Sequence, residues 1–184
     1  CGLDRIRFSV LDTRDAKALK ILKSERKIPL IADIHYQPEL AFLSIENGAD
    51  KVRINPGNWL NGSSLRRLVS LCKEKNIPIR IGVNSGSLNK YKGKGKNEID
   101  DYFLALSETL SFFKEEGFTN LVLSLKSSSV NRTKNLYERA YQEYPYPLHI
   151  GLTESGFGLL GARKTTAAVL PLLEQGVGDT LRVS

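Results

Sequence analysis

Methionine is absent from these 184 residues, tryptophan occurs once and cysteine twice, at Cys1 and Cys72. Two distant cysteines show no metal-ligand spacing. Such sparse cysteine suits a reducing compartment. No apolar run approaches the roughly 20 residues of a membrane span, and no secretory signal opens the chain. The expected location is the cytoplasm, or the plastid stroma in a plastid-bearing organism, with no membrane partner. A start at Cys1 without any methionine reads as a piece excised from a longer protein.

With 41% hydrophobic and 26% charged residues, the chain suffices for one soluble domain with a sizeable core and is too short for two. The formal net charge of +7 admits an anionic partner: nucleic acid, acidic lipid or a phosphorylated metabolite. Total charge does not choose among these, but the placement of the charges does.

Short β-branched runs alternate with longer amphipathic segments, the pattern of βα units around a parallel sheet. Strands are expected near 5–10, 28–34, 50–55, 77–83, 120–126, 147–153 and 179–184. Helices are expected near 13–25, 38–47, 63–75, 98–116, 132–143 and 162–175. Leu65, Leu68, Val69, Leu71 and Cys72 share one helical pattern, which assigns Cys72 to core packing. The strand starts come in two kinds. Gly2-Leu-Asp4, Gly48-Ala-Asp50, Gly117-Phe-Thr119 and Gly176-Val-Gly-Asp179 end a helix with glycine, suiting a left-handed cap. Ile28-Pro29, Ile77-Pro78 and Tyr146-Pro147 place proline at the first residue of a strand. The two kinds alternate without a break. This favours an α/β fold of the TIM-type (β/α)8 barrel over an open doubly wound sheet, with a first strand of the proline kind missing before Cys1. Residues 1–184 are then a single barrel domain, strands two to eight.

Cations stand inside these strands: Arg7, Arg53, Arg80 and Arg182, with Lys126 closing Leu123-Ser-Leu-Lys126. A parallel strand is covered on both faces, so a charge within it is costly unless matched. Internal salt bridges with Asp33, Glu154 and Asp179 are one reading. Five cations facing two or three carboxylates leave an excess that a compact phosphate ligand would balance, arginine matching phosphate in a bidentate fork. Strand-interior arginines do not make the long basic surface with aromatic platforms that nucleic acid needs. Polar residues gather at the C-terminal ends of the same strands, where barrel active sites are built: Asp33 and His35, Asn55, Asn84, Lys126, and Thr153 with Glu154.

Two weaker signals accompany them. Gly156-Phe-Gly-Leu-Leu-Gly161 matches GxGxxG but comes late and leads to a strand bearing Arg182, which speaks against a dinucleotide and leaves phosphate binding at a helix N-terminus. Lys90-Tyr-Lys-Gly-Lys-Gly-Lys96 reads as a solvated, mobile loop, with a lid as the sharper alternative.

Five segments occur in order on successive strands: Ile28-Pro-Leu-Ile-Ala-Asp-Ile-His35, Asp50-Lys-Val-Arg-Ile-Asn-Pro-Gly-Asn58, Pro78-Ile-Arg-Ile-Gly-Val-Asn-Ser-Gly-Ser-Leu88, Pro147-Leu-His-Ile-Gly-Leu-Thr-Glu-Ser-Gly156 and Gly176-Val-Gly-Asp-Thr-Leu-Arg-Val-Ser184. Together they resemble, from end to end of the chain, the barrel domain of the 4-hydroxy-3-methylbut-2-en-1-yl diphosphate synthase family. The resemblance implies an oxidoreductase of non-mevalonate isoprenoid biosynthesis. Its members open 2-C-methyl-D-erythritol 2,4-cyclodiphosphate with two electrons and loss of water. It implies that Arg7, Arg53, Arg80, Lys126, Arg182 and Ser184 hold the diphosphate, with His35, Asn55, Asn84 and Thr153 in the site. Glu154 would be the acid/base or hydroxyl-binding carboxylate, and Asp33 would orient neighbouring cations. It further implies a [4Fe-4S] cluster on a separate domain expected after residue 184, with no cofactor bound by this fragment. Ferredoxin or flavodoxin would be the electron donor, and the full-length protein a homodimer. The family commonly has alanine where Ser85 and Ser155 stand, aspartate where Ser129 stands and phenylalanine at Tyr36. The alternatives are another phosphate-binding barrel enzyme resembling dihydropteroate synthase and, from a different class, a basic RNA-binding module.

Overall fold

The computed structural model describes residues 4–25, 27–35, 37–55 and 62–183. Cys1, Gly2, Leu3, Tyr36, Pro56, Gly57, Asn58 and Ser184, which the sequence reading used, lie outside the described residues. In chain order the elements are β1 (Ile6–Val10), α1 (Thr13–Glu25), β2 (Leu30–Ile34), α2 (Pro38–Glu46), β3 (Lys51–Ile54), α3 (Gly62–Glu74) and β4 (Ile79–Asn84). After a short 3-10 turn (Ser85–Leu88) come α4 (Glu98–Glu115), β5 (Leu121–Lys126), α5 (Val130–Glu143), β6 (His149–Ile150), α6 (Gly158–Glu174) and β7 (Thr180–Leu181). Each expected strand and helix is present. Helix α6 starts earlier than its apolar pattern suggested. Phe157, Leu159 and Leu160 are exposed and the buried residue of its first turn is Gly161, so no apolar side chain there marks a buried face from which periodicity could be read.

Strands β1 to β5 are hydrogen-bonded in sequence order, and β6 pairs with β7. The pairings β1·β2, β2·β3, β3·β4 and β6·β7 are all parallel. The chain divides into two compact units, Cys1–Ile81 with Phe112–Leu121, and Gly82–Ser111 with Val122–Ser184.

In the first unit the alternation of β3 is visible in its burial. Val52 and Ile54 are fully buried, whereas Lys51 and Arg53 between them are half-buried on the other face. Cys72 on α3 is fully buried, as its helical pattern indicated. Gly48 closes α2 at φ +95°, the left-handed conformation anticipated for glycine at that strand start. Asn76, at φ +53°, performs the same turn before Ile77-Pro78.

The glycine and proline starts meet in a shared device. The Asp50 amide donates to the Leu30 carbonyl (2.8 Å), and the Leu30 amide donates back to the Asp50 carboxylate (2.8 Å). In the second unit the Asp179 amide donates to the Leu148 carbonyl (2.9 Å), and the Leu148 amide donates to the Asp179 carboxylate (2.7 Å). In both pairs the leucine follows the proline of one strand and the aspartate closes the glycine turn of the next. This is a correction for Asp179. Its carboxylate clamps strand starts, at the opposite end of β7 from Arg182, rather than serving as a counter-ion there.

Also in the second unit, α5 reaches the sheet through Tyr137, fully buried, whose hydroxyl donates to the His149 carbonyl (2.8 Å) and accepts from the Leu125 amide (3.2 Å). The lysine-rich segment after β4 is anchored rather than loose. The Asp101 carboxylate accepts from the amides of Gly93 (2.9 Å) and Gly95 (2.7 Å), and Glu108 accepts from Lys90 Nζ (2.5 Å) and Tyr91 Oη (2.8 Å). A Cβ at Gly95 would stand 2.5 Å from that of Asp100, so the tight seat on α4 requires glycine.

Two outcomes follow for the fold. Burial pushes the Cys72 thiol up to about 12, so the native protein resists iodoacetamide at pH 8 and is alkylated once denatured. Because burial favours the protonated thiol, its contribution to stability is intact below the ordinary thiol value of 9.0 and shrinks as pH rises toward 12. Replacing Asp101 by Ala strips two amides of their acceptor. Tryptic cleavage at Lys92, Lys94 or Lys96 then accelerates about tenfold, read by mass spectrometry of timed digests.

Candidate anion-binding site

The first unit builds its polar cluster on one carboxylate. Asp33, on β2 and only 4% exposed, stands in register beside Arg53 on β3, and Arg53 stands beside Arg80 on β4. The Asp33 carboxylate is 3.2 Å from Arg53 Nη1, 3.3 Å from Arg7 Nη1 on β1 and 3.8 Å from His35 Nε2. Strand register explains the bracketing, because β1 and β3 flank β2 and present their odd-numbered residues to the same face. The salt-bridge reading of the sequence thus holds for two arginines, both on Asp33. Arg80 is buried (3% exposed), as is Asn55 (6%) at the end of β3.

Sequence reasoning passed over a further cation in this unit. Lys51 lies two residues before Arg53 and therefore on the same face of β3. Burial, then Arg5, then Arg80 hold its ammonium below the ordinary lysine value. The alternation that singled out Arg53 would have found it.

In the second unit Asn84 ends β4, and Lys126 ends β5 with its carbonyl held by Tyr102 Oη at 2.9 Å. Tyr102 is fully buried, and that burial pushes its hydroxyl up to about 12, so it stays a donor. The Ser127–Ser129 turn is structural. Ser127 Oγ accepts from the Ser129 amide (3.1 Å), Ser129 Oγ caps α5 by accepting from the Arg132 amide (3.4 Å), and the Thr153 amide donates to the Ser127 carbonyl (3.0 Å). Aspartate caps a helix as well as serine does, so this position accepts either residue.

Past β6, Thr153 Oγ1 is buried with no hydrogen-bond partner among the described residues. Glu154 follows at φ +55°, exposed and without an ion pair among the described residues. A non-glycine residue held in the left-handed region outside any cap stores strain of about 1–3 kcal/mol, as functional sites often do. Gly156 (φ +97°) and Gly158 (φ +57°) then lead into α6, and a Cβ at Gly161 would collide with the Gly156 carbonyl oxygen. The GxGxxG match therefore has a packing cause: the turn folds onto the first turn of its own helix. Arg182 follows β7, its amide donating to the Ile150 carbonyl at 3.0 Å.

A parallel βα chain with cationic strand ends is matched over residues 1–184 by the family described as the GcpE TIM-barrel domain. The chain belongs to that family. The GcpE barrel is thus the fold that the alternating strand starts anticipated. Among curated proteins it is 42% identical over 185 residues to the 4-hydroxy-3-methylbut-2-en-1-yl diphosphate synthase (flavodoxin) of Malacoplasma penetrans, covering 100% of this chain and 51% of that protein. To the protein of the same name from Clostridium perfringens it is 44% identical over 185 residues, covering 100% and 53%. The chain spans about half the length of the curated relatives it matches. Among solved structures, the carboxyl transferase domain of Rhizobium etli pyruvate carboxylase with pyruvate aligns at a TM-score of 0.59 and 16% identity, over 91% of this chain and 29% of that one. Its Y628A variant aligns at 0.60 and 15%, with the same coverage. At such identity the likeness is of fold alone.

The strain at Glu154 is testable. Glu154→Gly relieves the left-handed conformation and raises the stability of the full-length protein by about 1 kcal/mol in urea unfolding. A loss of stability would instead mean that the side chain holds the turn.

Proposed function

We propose that this chain is the substrate-binding barrel of an enzyme that reductively opens 2-C-methyl-D-erythritol 2,4-cyclodiphosphate to 4-hydroxy-3-methylbut-2-enyl diphosphate, a step of isoprenoid biosynthesis. The observation that carries the reading is the Asp33 cluster, where two arginines share a single carboxylate, with Lys51 on the same strand as Arg53 and Arg80 beside Arg53 on the next. Such an excess of strand-borne cations calls for a compact polyanion, and a cyclic diphosphate is one. The names of relatives 42% and 44% identical to this chain, each a synthase of that diphosphate product, favour the same ligand.

In this reading Arg7, Arg53 and Arg80 of the first unit bind diphosphate oxygens, with His35 and Asn55 as further donors. Asp33 fixes the Arg7 and Arg53 guanidinium planes so that their remaining N–H groups are pre-aimed. Asn84, Lys126, Thr153, Arg182 and Ser184 are assigned to the same substrate from the family resemblance. Glu154 handles a proton at the substrate hydroxyl that leaves as water. Overall the ring C–O bond to the diphosphate breaks, two electrons and two protons enter, and the substrate hydroxyl departs as water.

The family's [4Fe-4S] cluster would supply those electrons. Among the described residues no group of three His, Cys, Asp or Glu could hold a metal ion, and Cys72 is a buried thiol. These residues do not fit a cluster, whose ligands we assign to a part of the full-length protein outside this chain. Flavodoxin, which the relatives' names carry, is the electron donor we favour over ferredoxin. We further propose a homodimer working in the cytoplasm. No helix among the described residues is long and apolar enough to cross a membrane.

The test uses the full-length protein, purified without oxygen and reconstituted with iron and sulfide. Consumption of the cyclodiphosphate should require a reductant, and Arg53→Gln should raise KM about 10- to 100-fold, the loss of one or two charge-assisted hydrogen bonds. A folded, cluster-loaded protein that leaves the substrate untouched overturns the assignment. Tight, steeply salt-dependent binding of long RNA without competition by pyrophosphate would point to the binding module instead.

A further inference from the structure

The two aspartate-clamped strand pairs can be compared position by position. In the first, Leu30-Ile-Ala-Asp33 runs beside Asp50-Lys-Val-Arg53, with Ile31 opposite Lys51 and Asp33 opposite Arg53. In the second, Leu148-His-Ile-Gly151 runs beside Asp179-Thr-Leu-Arg182, with His149 opposite Thr180 and Ile150 opposite Leu181. Arg182 therefore occupies in its pair the place of Arg53, and Gly151 the place of Asp33. The position that gives Arg53 its carboxylate gives Arg182 a glycine. A Cβ there would stand 2.6 Å from the Arg182 carbonyl oxygen, so no side chain can replace it without moving β7.

Two rows earlier, on the same face, the pattern reverses. Ile31 and Lys51 make no hydrogen bond through the apolar isoleucine, but His149 Nδ1 lies 2.7 Å from Thr180 Oγ1. The opposite side of the imidazole faces inward, its Nε2 buried. The His149 backbone is held as well, its carbonyl accepting from Tyr137 Oη at 2.8 Å. Strand β7 is only two residues long, and Leu181 and Val183 on either side of Arg182 are 48% and 66% exposed. Among the contacts that hold β7 against β6 are the Asp179 clamp at its start, the Thr180 amide on the Leu148 carbonyl (3.2 Å), the backbone bond from Arg182 to Ile150, and the His149–Thr180 side-chain bond between them.

We propose that His149 and Thr180 are positioning residues for Arg182, taking the part that Asp33 takes for Arg53. The mechanism is strand alignment. The imidazole fixes Thr180, and through two residues of extended chain it fixes the height and rotation of β7 from which Arg182 projects. This inference rests on the proposed diphosphate-binding role of Arg182 for its effect on the reaction, and on geometry alone for its effect on the strand.

Two readouts in the full-length protein test it: hydrogen exchange at the Arg182 amide, and kinetics with the cyclodiphosphate. Thr180→Val removes the hydroxyl at nearly constant volume. It should speed exchange at that amide about 3- to 10-fold and raise KM by a similar factor, with kcat changed less than about twofold. His149→Asn puts a polar atom where Nδ1 stood and should stay near wild type in both. His149→Gln puts its polar atom nearer the Nε2 position and should behave like Thr180→Val. Equal behaviour of the Asn and Gln variants, or Thr180→Val without faster exchange, overturns the positioning role. If the wild-type protein does not turn over the cyclodiphosphate, the proposed function falls, and the exchange measurements still decide whether His149 and Thr180 align β7.

Discussion

Burying a carboxylate such as Asp33, 4% exposed, costs desolvation that adjacent cations offset, and the same carboxylate offsets the repulsion between those cations. Asp33 with Arg7 and Arg53 achieves both effects at once. The rest of the first unit follows from that arrangement. It sets which face of β1, β2 and β3 is polar, and leaves the other face to Ala32, Ile34, Val52 and Ile54, all fully buried. It also turns two long, mobile side chains into fixed ones. A guanidinium held on one edge by a carboxylate can offer its remaining donors to a ligand with little further loss of rotamer freedom.

The second unit solves the same alignment problem with different groups. The aspartate clamp recurs, Asp50 on Leu30 and Asp179 on Leu148, with both the amide and the carboxylate of each aspartate engaged. Three residues on from the clamp, where the first pair carries an ion pair, the second carries a glycine that lets backbones approach. The strained Glu154 turn comes just beyond. A carboxylate opposite Arg182 would occupy the space into which its carbonyl packs. The device that orients the strand is displaced by two rows, as an imidazole and a hydroxyl.

Most of the fold was legible because each element had a local cause. Glycine turns at Gly48, Gly117 and Gly176 do adopt positive φ, and the apolar periodicity of α1 to α5 marked their extent. The start of α6 was not legible, since Leu159 and Leu160 face solvent and periodicity needs a buried face. The lysine-rich loop read as mobile from composition, but its anchors are Asp101 and Glu108 on the following helix, and no local rule ties an acidic helical residue to amides several positions upstream. Tyr102 was equally silent, one apolar-patterned aromatic among several until its hydroxyl is seen on the Lys126 carbonyl.

The sequence by itself determined the alternation of strand and helix, the two kinds of strand start, and the presence of cations at positions where a parallel strand should be apolar. Backbone conformational preference and the twofold period of a strand act over a few residues, so they are written locally. Only the tertiary structure decided which carboxylate serves which cation. Asp33, Glu154 and Asp179 were interchangeable as counter-ions in the sequence, yet one brackets two arginines, one sits exposed in a left-handed turn, and one clamps a strand start. That assignment depends on the register between strands 20 or more residues apart in sequence, as Asp33 and Arg53 are, and register is a property of the assembled sheet.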